Sequence, residues 1–549
     1  MTRFLLGIFR KTVMSRTTAA FVGFFLAVQS APVVGGDPGD SALISQVEAR
    51  QYGLERAWFT QVKLDPARAR LTDMTYFVSA TQSHTVFEVQ YQDRKRHFSE
   101  RDTDRFGETL GKEKAEKEAQ AFMEELKLRE IESKLQTIQV PETTLYAVTD
   151  RAVLHAIDAE TGRTRWSTLV GNRDYPLERP GINEDFVGVL NGSTLHLLKR
   201  QTGEMAWIRS IQGVASAGPA LTTDYVVVPT FTGDIELYDI DETRTLPDIF
   251  RSNGRVLIQP VVTPLSVLWP TDRGFLYSSQ TLQKELRYRM EAKQTIVSQP
   301  AYSSPNKVLA TSIDGYVYCL HELSGDDLWR FSTGEPISNS PVPVGNSVYI
   351  VTDKGSLYCL DVESGEEKWS APQVRRLVSA SKDRLYCLTM TGRLAILDVK
   401  TGGRIALMGA NQLDFFYTNT LTDRILVATA TGVVQCLHEV DLQFPLVHVN
   451  LAEVEQKQRP QIKQEGLEAK PQPAAKPAAG AAPQPAAAGD DPFGQGGAKP
   501  AAGGADPFGA GGAQPQPDAA DPFGGAAAPQ PAPAAPAPAA PAAGDDPFK

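Results

Sequence analysis

The chain has 549 residues, 65 of them acidic and 55 basic, with a formal net charge of -10 and a pI near 5.4. That balance offers no basic stripe for phosphates and argues against nucleic acid as a partner. The length is ample for a large core, and one repeat domain with an insertion and a tail accounts for it.

Residues 1–30 read as an export signal. Arg3, Arg10, Lys11 and Arg16 give a basic start, 19–28 (AAFVGFFLAV) supplies an apolar core too short for a comfortable membrane span, and small residues near Ser30 and Ala31 suit cleavage. An uncleaved amino-terminal anchor is the alternative reading. The stretch has no cysteine for lipid attachment, and 31–52 is expected to be a linker. Residues 53–63 (GLERAWFTQVK) resemble 162–170 (GRTRWSTLV), with one extra residue before Trp58. They are expected to form an outer strand detached from its own repeat, closing the array from the other end of the chain.

An α+β insertion is expected over 71–139. Stretches 75–79 and 85–91 alternate like strands, 96–101 returns as a second hairpin arm, and 107–135 reads as a helix. Its pairs Glu113/Lys117, Glu125/Arg129 and Glu130/Lys134 have the favourable i,i+4 order. Ala115, Ala119, Phe122 and Leu126 form a narrow apolar stripe, for the insertion's own core or for a partner.

From 140 to 450 one pattern returns: apolar strand, Gly turn, apolar strand with an acidic end, [ST]-Gly turn, Trp. Its clearest copies are 145–166, 308–329 and 348–369, with weaker ones at 225–242, 267–281 and 425–439. The turn glycines Gly162, Gly203, Gly325, Gly365 and Gly402 lie 41, 122, 40 and 37 residues apart, the long interval holding three periods. That makes eight units. The short runs rich in Val, Ile, Tyr and Leu are β, and units of about 40 residues with several strands are the mark of propeller blades. The fold expected is all-β: an eight-bladed β-propeller with a small α+β insertion near the amino terminus and a disordered carboxy-terminal tail. Trp166, Trp207, Trp329 and Trp369 each stand four residues after a turn Gly, and Trp58 belongs with them. A side chain repeated once per unit is scaffold, packed between blades.

The run D-x-x-[ST]-G-x-x-x-W at 158–166 and 361–369 resembles the repeat of the pyrroloquinoline quinone (PQQ)-like, quinoprotein-type β-propellers, whose relatives include quinoprotein alcohol dehydrogenases and BamB-like propellers. The resemblance covers about 140–450 and speaks for fold more than for activity. An enzyme of that kind would bind its quinone on the propeller axis, with adjacent cysteines and a calcium site of carboxylates and amides. Here Cys319, Cys359, Cys387 and Cys436 are all separated. Three of them share a register (YCL, YCL, QCL), too far apart in successive blades to bond. Cys387 lies on a different strand, which leaves a pairing with Cys359 or Cys436 open.

No other chemistry stands out. The seven histidines are scattered, without metal-ligand spacing. Asp239 and Asp241 end a blade strand as Asp158 and Asp361 do, where Asp serves turns. No catalytic, cofactor or metal residues are assigned. From 451 to 549 the chain is mostly Ala, Pro, Gly and Gln, expected to be disordered. Asp-Pro-Phe recurs there with Phe493, Phe508, Phe523 and Phe548, as docking motifs or as a spacer. The long, charged link 171–180 (GNRDYPLERP) is a second candidate contact, or simply an interblade connection. The function expected is a non-catalytic exported scaffold of the bacterial envelope, with protein partners. The alternative is a PQQ-dependent oxidoreductase.

Overall fold

Short β-branched runs separated by tight turns pair with their chain neighbours, and here they do so in fours. The structure, a computed structural model, describes residues 43–448 apart from 93, 106, 107, 282, 283 and 411. The segment 1–30, expected to be an export signal, and the tail 451–549, with Phe493, Phe508, Phe523 and Phe548, lie outside the described residues.

Eight antiparallel sheets form the blades. Blade I uses Leu71–Tyr91, Ser133–Thr149, Val153–Asp158 and Thr164–Leu169, with Arg94–Ser99 added beside the far half of its first strand. Blade II runs from Gly181–Ile182 to Met205–Ser210, III from Ala220–Leu221 to Asp248–Arg251, and IV from Val261–Val262 to Leu286–Glu291. Blade V runs from Ala301–Ser303 to Asp327–Ser332, VI from Val342–Val344 to Glu367–Ala371, and VII from Val374–Ala380 to Arg404–Met408. Blade VIII combines Phe415–Phe416, Ile425–Ala428 and Val433–Glu439 with Leu54–Gln61 from the other end of the chain, paired so that Trp58 faces Cys436. The ring is therefore closed by strand pairing, leaving no open blade edge at its ends. Second and third strands are buried almost throughout, as in Phe186–Asn191 and Thr194–Lys199, because a neighbouring blade covers each face. Fourth strands such as Met205–Ser210 alternate toward solvent.

The seams repeat one device. The Trp58 indole Nε1 donates to the Ala159 carbonyl (2.9 Å), Trp166 to Arg200 (2.9 Å), Trp207 to Ile240 (3.0 Å), Trp329 to Val362 (3.0 Å) and Trp369 to Val399 (2.9 Å). Each bond crosses to the turn of the next blade. A β-bulge falls immediately before each of these Trp residues, at Ala57, Arg165, Ala206, Leu328 and Lys368, and re-aims the ring sideways. The turn glycines are the receiving surface. A Cβ on Gly162 would lie 2.6 Å from the Trp58 ring and one on Gly402 2.3 Å from the Trp369 ring, and both glycines have positive φ. Trp166 meets Gly203 and Trp329 meets Gly365 in the same way, whereas Gly325 receives Tyr288, and Trp207 reaches a turn without glycine.

Three boundaries expected from the sequence are corrected. The linker at 31–52 contains a helix, Gln46–Gln51, whose N-cap Ser45 accepts from the Glu48 N–H (3.1 Å). Ile44, Ala49 and Leu54 pack with Met408 and Ile425, filling the seam between blades VII and VIII where no Trp is available. The insertion does not start at 71: Leu71–Tyr91 is one strand, and its first part, to Val78, is the inner strand of blade I. Alternation runs on through 71–91, so only the register shift between Val78 and Ser83 marks where the hairpin leaves the blade. The helix spans Gly111–Leu128 rather than 107–135. Glu130 turns to φ 58, and Ser133–Thr149 leads back as a strand, so Glu130 and Lys134 are no helical pair. The stripe of Ala115, Ala119, Phe122 and Leu126 packs on Phe87, Val89 and Phe98, the insertion's own core.

Trp58 is buried in the seam between blades VIII and I, so Trp58→Ala should cost about 3–5 kcal/mol in urea unfolding. Deleting 53–63 should abolish the cooperative transition. A Trp58→Ala loss below about 1 kcal/mol would show that the indole contact does not hold the seam, and an unchanged melting curve on deleting 53–63 would show that strand pairing does not close the ring.

Candidate functional site

The repeated Trp and Gly residues all lie in seams, and none lines a concave surface. The central funnel is built by other residues. Each inner strand from blade II to VI is preceded by a proline: Pro180, Pro219, Pro260, Pro300 and Pro341. Three of the residues before these prolines, Arg179, Gln259 and Gln299, bond from blade to blade around the funnel. Gln259 Nε2 donates to the Pro219 carbonyl (2.7 Å), Gln299 Nε2 to the Gln259 carbonyl (3.2 Å), and Arg179 lies 3.5 Å from Gln299 Oε1. Below them is a cavity of about 500 Å³, lined by inner-strand residues such as Thr75, Ala220, Val262 and Tyr302.

A quinone with calcium does not fit this lining. Glu184, one of its two carboxylates, is committed to the hydroxyls of Ser79 (2.7 Å) and Thr81 (3.0 Å). The two axial glutamines direct their amides at backbone carbonyls. The four cysteines are free and buried between strands, so the pairing left open for Cys387 is not made. Burial pushes the Cys319 and Cys436 thiols up to about 12 and raises those of Cys359 and Cys387 as well. Among the described residues no three His, Cys, Asp or Glu side chains are grouped to hold a metal ion. Asp239 Oδ1 accepts from the N–H of Asp241 (3.0 Å) and Glu242 (2.9 Å), a turn cap like that of Asp158.

Where the insertion leaves blade I, a charge cluster ties it to the propeller. Glu142 pairs with Arg165, with Arg200 at 3.3 Å and with Arg101 at 3.6 Å. Arg101 comes from the insertion and also reaches Glu160 (3.2 Å), while Arg165 meets Asp158 (2.6 Å). Burial alone would raise the Asp158 carboxyl, but the hydrogen bond and charge of Arg165 hold it below the ordinary carboxylate range. Arg200 is nearly inaccessible, lies over the Phe77 ring and donates to the Glu184 carbonyl (2.6 Å). The last described residues also cross this region: Gln443 lies 2.8 Å from His97, and Phe444 stands edge-on to His84 and His97. Sequence reasoning missed this cluster because its members come from separate elements without fixed spacing.

On the opposite face, formed by the interblade links and the turns between second and third strands, apolar side chains stand in water. Val214, Phe231, Leu257 and Val297 are 39% to 68% exposed, and Phe231 N–H bonds the Val214 carbonyl (2.9 Å). Phe231 stands in the turn between the second and third strands of blade III, and Val214, Leu257 and Val297 stand in the links leading into blades III, IV and V. The link 170–180, which contains 171–180, lies on this same face between blades I and II.

Closed seams, a bulged Trp strand and Asp-capped turns define a PQQ-like β-propeller of eight blades. The chain belongs to the family described as "Outer membrane protein assembly factor BamB", whose model matches residues 103–244 and 267–409, a little over half its length. It is 21% identical over 253 residues to outer membrane protein assembly factor BamB of Burkholderia pseudomallei, covering 44% of this chain and 56% of that protein. It is 25% identical over 240 residues to the serine/threonine-protein kinase AfsK of Streptomyces griseus, covering 41% of this chain and 29% of the kinase. The chain thus spans just over half of one of these curated relatives and under a third of the other. The crystal structure of BamB from Moraxella catarrhalis aligns with a TM-score of 0.45 at 16% identity, covering 54% of this chain and 93% of that one.

The charge cluster makes a graded prediction. Glu142→Ala leaves two enclosed arginines short of their shared partner and should cost about 3 kcal/mol or more. Arg101→Ala removes a partly exposed partner and should cost about 1 kcal/mol or less, while speeding hydrogen exchange in 83–99. Equal losses in thermal unfolding would show that the cluster does not separate into a buried core and a tether.

Proposed function

We propose that the protein is a non-catalytic, exported propeller that holds protein partners in the bacterial cell envelope, in outer-membrane or envelope assembly. The observation that carries this reading is the exposed apolar set Val214, Phe231, Leu257 and Val297 on one face of a disc whose family is one of assembly factors. Water-facing apolar side chains gathered on a rigid face are suited to a partner surface, and a propeller presents them with little ordering cost. The segment 1–30 acts as the export signal. The tail 451–549 is a tether whose Phe493, Phe508, Phe523 and Phe548 add weak, multivalent contacts.

In-cell crosslinking followed by mass spectrometry tests this. Intact protein should yield adducts with outer-membrane assembly components. Val214→Ser, Phe231→Ser, Leu257→Ser and Val297→Ser combined should lose most of them with an unchanged melting curve, because surface substitutions of this kind shift stability by about 0.5 kcal/mol or less each. Phe→Ala at the four tail positions should reduce adduct yield further. Unchanged adducts in the combined surface variant would overturn the face assignment. Cofactor absorbance and dye reduction after reconstitution with PQQ and calcium would overturn the non-catalytic reading.

A further inference from the structure

The tetrapeptide Cys-Leu-His-Glu occurs twice, at 319–322 and 436–439, each time at the end of the third strand of its blade. The register agrees as well, since Cys319 faces Trp329 and Cys436 faces Trp58. Both glutamates reach back to the preceding blade, to the hydroxyl that caps the turn after its inner strand. Glu439 meets Ser381 of blade VII, and Glu322 meets Thr263 of blade IV. The two sites then diverge. Glu439 is half-buried and also takes the Tyr386 hydroxyl (2.8 Å), five residues on from Ser381. Five residues on from Thr263 stands Leu268, and Glu322 is fully buried with its Oε2 unbonded.

The hydrogen atoms at Thr263 can be counted. Its Oγ1 accepts the Ser266 N–H (3.0 Å), lies 2.8 Å from the Ser266 carbonyl and lies 2.5 Å from Glu322 Oε1. In blade III, Thr222 makes the same two bonds to Tyr225 with no carboxyl beside it. One hydroxyl hydrogen cannot fill both oxygen–oxygen contacts of Thr263. A proton on Glu322 fills the second: the carboxyl donates to Thr263, Thr263 donates to the Ser266 carbonyl, and the Leu265 N–H still reaches Glu322 Oε1 (3.0 Å). An ionised Glu322 leaves one contact without a hydrogen and its own Oε2 bare in an apolar seam.

The groups facing Glu322 do not relieve that charge. Arg287 and Tyr288 come from the outer strand of blade IV and Tyr302 from the inner strand of blade V. Arg287 Nε has no hydrogen-bond partner, Glu322 included. Burial raises the Tyr302 hydroxyl and pushes that of Tyr288 up to about 12, so both stay neutral. Burial also holds the Glu322 carboxyl above its ordinary range, against the hydrogen bonds of Thr263 and Leu265 and the charge of Arg287. In this seam Tyr288 rather than a Trp lies against the turn glycine, so it lacks the indole bond that fastens blades V and VI.

We propose that Glu322 is a proton-operated latch between blades IV and V: protonated, it bonds Thr263 and closes the seam; ionised, it draws water in and loosens it. An acid that holds its proton more tightly in the folded chain stabilises fully below the ordinary carboxylate range and loses that contribution as pH rises through its folded value. Hydrogen exchange of the full chain from about pH 4.5 to about pH 8, divided by the intrinsic rate at each pH, tests this. The open population at 263–268 should rise with pH, by up to about tenfold per unit for one proton. At 347–351 of blade VI it should not, because the buried Cys319 thiol in that seam is pushed up to about 12 and does not titrate. Glu322→Gln keeps both hydrogen bonds in a neutral side chain and should flatten the rise at 263–268 to about twofold or less over the whole range. Glu439→Gln, the matching change in blade VIII, should leave that rise as it is in the parent. The proposal fails if exchange at 263–268 in the parent is flat, if 347–351 rises as steeply, or if Glu322→Gln keeps the parent's slope. The first two outcomes need no variant.

Discussion

One contact recurs around the disc: an indole donates its N–H to a carbonyl of the neighbouring blade while its ring lies against that blade's turn glycine. Both halves are needed. The hydrogen bond satisfies the one polar atom of a large buried side chain, and the missing Cβ lets the ring approach to a distance no other residue allows. The glycine's positive φ also completes the Asp-capped turn, so one residue serves the turn and the seam together. The bulge before the Trp is the third part, since without it the indole would point along the sheet normal of its own blade. Trp58 carries the same contact across the gap between the chain's two ends, which makes a linear array a ring.

Because every seam borrows from the next blade, the core is distributed rather than central. Hydrophobic clusters form between pairs of blades, each joining strands of neighbours, and the axis is left to short inner strands and a funnel. The seams without the Trp–Gly pair are filled differently: Tyr288 lies against Gly325, Phe250 and Tyr277 stack on Trp269, and the Gln46–Gln51 helix reaches the last seam. Each substitute restores apolar volume at the same place, which is what close packing demands of a ring whose angular pitch is shared by all its members.

Second, third and fourth strands were readable from the chain because each carries four or more apolar or alternating residues and a glycine turn between them. Inner strands were not, since several consist of two residues, as at Gly181–Ile182 and Val261–Val262, below the length at which any period shows. A signal was present in the prolines that precede them, one per blade from Pro180 to Pro341. The hairpin of blade I hid for the opposite reason, its alternation continuing past the blade without a break. Arg101, Glu142 and Arg200 lie 41 and 58 residues apart and meet only because the insertion folds back on two blades, a long-range arrangement that local spacing does not encode.

A ring of interlocked seams constrains where novelty is tolerated. Any change in a Trp, a turn glycine or the residue before the Trp is felt by two blades, whereas a change in a link or in the turn after an inner strand disturbs only the face where it lies. The departures from the period obey this. The extended hairpin grows from the turn after the inner strand of blade I, the eleven-residue link joins blades I and II, and the outer strand of blade III lacks both bulge and Trp. These three fall on consecutive blades, and two shortened links, 372–373 and 409–414, depart from the period on blades VI to VIII. Blades I and II also carry the charge cluster. Trp369 still closes the seam bridged by the two-residue link 372–373, so shortening a link leaves the seam contact intact.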